Sequence, residues 1–214
     1  MKVIQTESLS DQDFALILTV LRTGGVIGFP TDTAYGLGAD AFNIDAVSEI
    51  FKLKGREESK PILLLVNSLE MTAGVSRPGP LFEKVAAAFW PGPLTLVLPA
   101  DARVPETVTA GTGTVGVRWP VASFATALVA RFGGPVTATS ANVSGRPSCI
   151  TAAEVRAQLD DQLALLIDGG QLPARTGSTI LDLTSDPPLL LREGPISFDA
   201  LSTFLNGNIR RTGS

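Results

Sequence analysis

KLKGREESKP, residues 52–61, gathers Lys52, Lys54, Arg56 and Lys60, four of the chain's 17 basic residues. That spacing could clamp an anion, because arginine offers phosphate oxygens a planar fork and lysine a point charge. On composition alone a plainer reading prevails: cations favour a helix C-terminus, and Glu57 and Glu58 can pair with them. A second polar cluster, TSANVSGRPS (139–148), follows an apolar run and precedes a good helix start. Its Ser140, Asn142, Ser144 and Ser148 exceed what a turn needs. Loop hydroxyls and amides can hold phosphates or a base edge. Caps and turn formers would use the same residues.

Four further stretches could contribute. FPTDTAYGLGADAF (29–42) ends a buried strand in a loop with Thr31, Asp32, Thr33 and Tyr35, and Gly36 and Gly38 allow close backbone approach. VGVRWP (115–120) sets Arg118 inside an apolar strand pattern. A charge there must point outward or find a partner, either a carboxylate ligand or a structural aspartate. TGSTILDL places Ser178 at a strand entrance, and LLLREG ends a strand at Arg192 and Glu193. Unaided, neither Ser178 nor Arg192 stands out from a structural loop residue.

Composition removes several chemistries. The chain has no histidine, so no Ser-His-Asp triad, Cys-His pair or histidine metal site can form. Its single cysteine, Cys149, excludes an internal disulfide and a cysteine zinc site, and reads as a partly buried bystander in a reducing compartment. A net charge of −4 argues against a broad nucleic-acid footprint. There is no Walker A loop, and GLG lacks the spacing of a dinucleotide fingerprint. Neither a signal peptide nor a run of membrane-spanning length is evident, which predicts a cytoplasmic protein.

The elements that must position these residues alternate. Ser10 and Asp13 open a helix carrying Phe14, Ile17, Leu18 and Leu21, which Gly24-Gly25 stop. A strand, 26–29, ends at Pro30; Asp45 opens a second helix, and Gly55 closes it. ILLLV (62–66), LTLVLP, VGVRW, PVTAT, LALLI, STILDL and PLLLR read as strands. Helices are predicted over 80–89, about 122–132, from the Thr151/Glu154 box to about Asp160, and over 197–205. The alternation predicts a layered α/β (α+β) fold, a mixed twisted sheet flanked by helices around a concave cavity, in one domain spanning 1–214. The strands near 180 and 190 are close enough to be antiparallel.

Taken in order, FPTDTAYGLG, KLKGREESKPILLLV, FWPGPLTLVL, VGVRWP, TSANVSG, STILDL and LLREG resemble the YrdC/Sua5 family, the threonylcarbamoyl-AMP synthases. The K-x-R and S-x-N pair of that family is here Lys54-Gly55-Arg56 and Ser140-Ala141-Asn142. The resemblance implies synthesis of L-threonylcarbamoyl-adenylate from L-threonine, bicarbonate and ATP, for the t6A modification of tRNA, with Mg²⁺ accompanying the ATP. It implies Lys54 and Arg56 as catalytic groups. It places ATP on Arg56, Lys60, Thr114, Ser140, Asn142, Ser148 and Arg192, and threonine on Thr31, Thr33, Arg118, Ala138 and Ser178. It implies no protein metal ligand and a separate complex that transfers the product to tRNA, while a pI of about 4.9 and 6% aromatic residues predict weak or absent direct tRNA binding. Two departures accompany it. Leu65 stands where longer members often carry a histidine, and the chain stops soon after LREGPISFDAL, as in the short YrdC-like form. An RNA-binding module, or a related enzyme using a different amine, are the alternatives.

Overall fold

The computed structural model describes residues 1–55, 57, 59–121, 123–159, 162–173 and 177–212. Arg56, Glu58, Asp160 and the start of the helix expected near 122 lie outside the described residues.

Most predicted elements form where the local signals put them. Helix α1, Asp11–Arg22, carries a full capping box: Ser10 Oγ accepts from Asp13 N at 3.1 Å, and Asp13 accepts from Ser10 N at 3.2 Å. Helix α2, Ile44–Lys54, ends at Gly55 with φ of 54°, the left-handed turn that glycine tolerates. Its cap differs from the expectation. Asn43, not Asp45, accepts from Ala46 N, because the helix begins two residues earlier than Asp45 would allow. The loop expected after Pro30 is shorter than its polar residues suggest, since β2, Ile27–Pro30, turns back directly into β3, Tyr35–Gly38, and the two pair antiparallel.

The expected mixed sheet is two mixed sheets. The first has five strands. Strand β1 (Lys2–Gln5), which the polar N-terminal sequence conceals, pairs parallel with β9 (Leu165–Asp168), then come β2, β3 and β8 (Thr139–Ser140). The second has seven. Its central run is β10 (Thr179–Asp182), β5 (Leu94–Pro99), β6 (Thr114–Arg118) and β4 (Leu64–Leu65). The pair expected near 180 and 190, β10 and β11 (Leu189–Arg192), is antiparallel. On the far edges lie β12 (Arg210–Arg211) and β7 (Val136–Thr137).

The PVTAT run joins the two sheets. It divides at Ala138, sending β7 to the edge of the second sheet and β8 to the edge of the first. Ala138 N donates to Leu63 O at 2.8 Å, which fixes the crossing. Side-chain alternation then fills two cores. Ile27, Phe29, Leu165 and Ile167 turn to one cluster with Ile17 and Leu128, while Leu166 turns to the other with Leu37, Ile50 and Leu96. Leu65 belongs to the first of these clusters and is fully buried. Cys149 is also fully buried rather than partly so. Among the described residues, no helix is long and apolar enough to cross a membrane.

Candidate active site

A cavity of about 220 Å³ opens where the sheets meet. The β2–β3 hairpin supplies Thr31, Thr33, Tyr35 and Gly36, and the crossing strand supplies Ala138, Thr139 and Ser140. Opposite them, the second sheet contributes Leu63, Thr95, Arg118, Ser178, Ile180 and Arg192. Hairpin, crossing and sheet ends are thus separate in sequence and joined only by the topology.

Arg118 is 3% exposed at the end of β6. Its Nη2 pairs with Asp32, and its Nη1 donates to Thr33 Oγ1 at 3.2 Å. Among the described residues its Nε has no partner. Burial pulls the guanidinium below its ordinary value, Asp32 opposes that, and the like charge of Arg192 adds to it. The two possibilities left open for this charge therefore coexist: a structural aspartate holds one side while the group still faces the cavity. A hydroxyl chain continues from it. Thr33 Oγ1 lies 3.2 Å from Thr31 Oγ1, and Thr31 Oγ1 donates to Ala34 O at 2.7 Å.

Arg192 braces the other wall. Its Nε and Nη2 donate to Ser178 O at 2.9 and 2.8 Å, and Nη2 reaches Ser178 Oγ at 3.3 Å. Burial lowers this guanidinium too. The LREG turn requires its glycine for steric reasons. A Cβ on Gly194 would meet Gly177 O at 2.6 Å and Thr179 N at 2.7 Å, backbone atoms that cannot give way.

Lys54 is 2% exposed and sits outside the cavity lining. Its Nζ donates to Ser140 O and, at 2.8 Å, to Asn142 O. Its own carbonyl accepts from Ser144 N at 2.8 Å, so the end of α2 and the TSANVSG loop hold each other. Asn142 also works within the loop, donating to Val143 O at 2.9 Å and Arg146 O at 2.7 Å. Of the remaining expected residues, Ser140 and Ser148 line the cavity. Thr114 does not; its hydroxyl lies 2.9 Å from Thr112 Oγ1 at the start of β6. Lys60 is exposed and pairs with Glu57 at 3.2 Å.

All five residues expected to contact threonine line this cavity; sequence reasoning named Asp32 and Tyr35 in the same loop without giving them a role, and omitted Thr95. Tyr35 is fully buried, with its hydroxyl 2.8 Å from Gly170 O and 3.2 Å from Asp168 Oδ1, and accepting from Gly169 N at 2.9 Å. Its backbone N donates to Cys149 O, and its carbonyl accepts from Ala141 N, so it ties the hairpin to the start of the TSANVSGRPS stretch and to the residue just past its end. A lone tyrosine in an apolar strand, like a lone threonine in LTLVLP, was the available signal.

Burial pushes the Tyr35 phenol up to about 12; the Gly169 N–H works against this, and Asp168 works with it. A raised pKa in the folded state contributes stability that is complete below the unfolded value, near 10, and is lost as pH rises toward 12. Tyr35→Phe is expected to cost about 1–3 kcal/mol below that window, through unmet backbone partners. The gap to wild type should narrow between pH 10 and 12, which urea midpoints across that range measure.

The Sua5/YciO/YrdC family model, described as "Telomere recombination", matches residues 19–194. A threonylcarbamoyl-AMP synthase of Pyrococcus abyssi is 38% identical over 95% of this chain and 60% of its own length. One from Bacillus subtilis is 39% identical over 92% of this chain and 58% of its own. The structure of P. abyssi Sua5 complexed with L-threonine superposes with a TM-score of 0.94 at 37% identity, covering 99% of this chain and 62% of that one. The chain therefore spans about three fifths of the length of these relatives. Sequence and fold agree over nearly its whole extent, and the chain belongs to the Sua5/YciO/YrdC family.

Proposed function

We propose that this chain makes L-threonylcarbamoyl-adenylate and pyrophosphate from L-threonine, bicarbonate and ATP, as an ATP-using nucleotidyltransferase. The observation that carries the reading is the convergence of two arginines, the buried Arg118 and the more exposed Arg192, with five hydroxyls of Thr31, Thr33, Ser140, Ser148 and Ser178 on one cavity. A relative named for this product shares 38% identity, and the threonine-bound relative shares the fold.

The reaction suits a chain without histidine. Threonine's amine takes up the carbon of bicarbonate, with loss of water, to give a carbamate. A carbamate oxygen then forms a bond to the α-phosphorus of ATP as the α–β bridging bond breaks, and pyrophosphate leaves with that electron pair. Such a displacement depends on positioning and charge neutralisation more than on a side-chain nucleophile. Arg118, fixed in plane by Asp32 and Thr33, orients the amino-acid carboxylate, with Thr31, Ala138 and Ser178 around the rest of the molecule. Arg192, Ser140 and Ser148 face the nucleotide, with Arg56, Lys60 and Thr114 completing its contacts when ATP binds.

Lys54 takes a different part from the catalytic one the motif suggests. Its ammonium serves the loop carbonyls of Ser140 and Asn142, so it positions the nucleotide wall, and Asn142 shapes the same loop. Magnesium would be carried by ATP's own phosphate oxygens, as it commonly is where it accompanies a nucleotide. When bound, that ion neutralises phosphate charge as pyrophosphate departs. The product feeds tRNA modification through a separate transferase in the cytoplasm.

The test is pyrophosphate release with ATP, magnesium, bicarbonate and each amino acid in turn. Release that depends on threonine supports the reading. Release indifferent to the amino acid, or none, overturns it.

A further inference from the structure

Two hydroxyl chains start from the arginines of the cavity, and they end differently. The first runs from Arg118 through Thr33 and Thr31 and terminates on Ala34 O, so every proton in it has an acceptor. The second runs from Arg192 Nη2 to Ser178 Oγ at 3.3 Å and on to Thr95 Oγ1 at 2.7 Å. Arginine can only donate, so Ser178 Oγ accepts from Arg192. Between them Ser178 and Thr95 own two O–H protons, and the contact they share uses one. Thr95 Oγ1 has no further partner among the described residues, and Ser178 Oγ has only the two named.

One O–H donor is therefore left over, whichever hydroxyl supplies the shared bond. Both residues are nearly excluded from solvent, at 3% for Thr95 and 2% for Ser178, and both line the cavity. Thr95 occupies an otherwise apolar strand, LTLVLP, where a valine would pack as well and need no partner. Its methyl group lies toward Gly116, which has no Cβ to crowd it. An uncommitted O–H on a cavity that also holds Arg118 and Arg192 is a donor available to an oxygen acceptor.

We propose that Thr95 is a substrate-positioning residue: with Ser178 it forms a hydroxyl dyad that donates one hydrogen bond to an oxygen of the amino-acid substrate. The proposal rests on the threonine reading above and adds a residue to it. The dyad is assigned to the amino acid because Ser178 is one of the threonine contacts that the resemblance implies, and Thr95 is its hydrogen-bond partner. Removing the Thr95 hydroxyl frees Ser178 to turn its own proton to a different acceptor and deprives the substrate of a fixed donor.

The experiment is calorimetric binding of L-threonine and, separately, of a non-hydrolysable ATP analogue with magnesium to wild type, Thr95→Val, Thr95→Ser, Ser178→Ala and the Thr95→Val/Ser178→Ala double variant. Thr95→Val is expected to weaken threonine about 10–100-fold, the range of one unmet buried hydrogen bond. Affinity for the ATP analogue should stay within about twofold. Thr95→Ser should restore threonine binding to within about threefold. The double variant should bind threonine more weakly than Ser178→Ala, because that single variant still holds the Thr95 proton for the substrate and the double holds neither. Threonine affinity unchanged in Thr95→Val, or both ligands weakened alike, overturns the proposal. If Thr95→Val does not fold, Thr95→Ala replaces it, and threonine affinity unchanged in that variant does the same. Should wild type bind no threonine, the functional reading itself fails, a result distinct from any failure of the dyad.

Discussion

Asp32→Ala is expected to destabilise the fold by about 3–5 kcal/mol, because it strands a buried guanidinium without its counter-ion. Arg118 is 3% exposed, and among the described residues its ion pair is with the Asp32 carboxylate. Burial already pulls that guanidinium below its ordinary value, and Arg192 repels it from across the cavity. Removing Asp32 leaves the unfavourable contributions and takes away the opposing one. The size of the loss is separable from simple packing. Asp32→Ala combined with Arg118→Met deletes both charges and keeps an apolar stem of similar length, so most of the lost stability should return while threonine binding does not. Guanidinium unfolding of the two variants measures the first, and calorimetry the second. Equal instability of single and double variants would place the cost in the hairpin turn rather than in the ion pair.

Lys54→Met is expected to reduce threonine-dependent pyrophosphate release at least about 100-fold, through misplacement of the loop rather than through loss of a catalytic group. The ammonium donates to Ser140 O and Asn142 O, and methionine can donate to neither. Each buried carbonyl left unmet costs about 1–3 kcal/mol. Ser140 and Ser148 sit on the loop so released, and a displacement of about 1 Å from productive geometry is enough for a hundredfold loss. Lys54→Arg should not rescue, since a planar fork is bulkier than an ammonium and does not converge from one atom on Ser140 O, Asn142 O and Asn142 Oδ1. The distinguishing readout is proteolysis of the 140–148 loop. It should accelerate in Lys54→Met if the lysine positions the loop, and stay at the wild-type rate if the lysine acts only on substrate.

Much of this site was legible because the chemistry sits in short motifs with an uncommon residue in each. Arg118 is conspicuous as a charge within an apolar strand, and the serines of TSANVSG as surplus polarity after one. The capping box at Ser10 and the glycine at the end of α2 follow from local rules and appear where those rules put them. What sequence could not supply is what depends on topology. PVTAT reads as one strand, and nothing local reveals that its halves enter different sheets at Ala138. That division creates the junction where the cavity lies. Lys54 reads as part of an anion clamp because its spacing to Arg56 is local, whereas the loop carbonyls it serves, Ser140 O and Asn142 O, are 86 and 88 residues away. Thr95 was invisible for the same reason, as its partner Ser178 is 83 residues distant. Strand β1 lacked a signal because Lys2–Gln5 is largely exposed, with only Ile4 buried, and is held by its ladder to β9 rather than by an apolar pattern.

The central claim is that this cavity joins threonine, a one-carbon unit and AMP. The direct measurement is mass spectrometry of the product formed from ATP, L-threonine and ¹³C-bicarbonate with magnesium. The account predicts an adenylate carrying threonine and one labelled carbon, formed in step with pyrophosphate. An adenylate of threonine without the labelled carbon, or pyrophosphate release with no threonine-bearing adenylate, would contradict it.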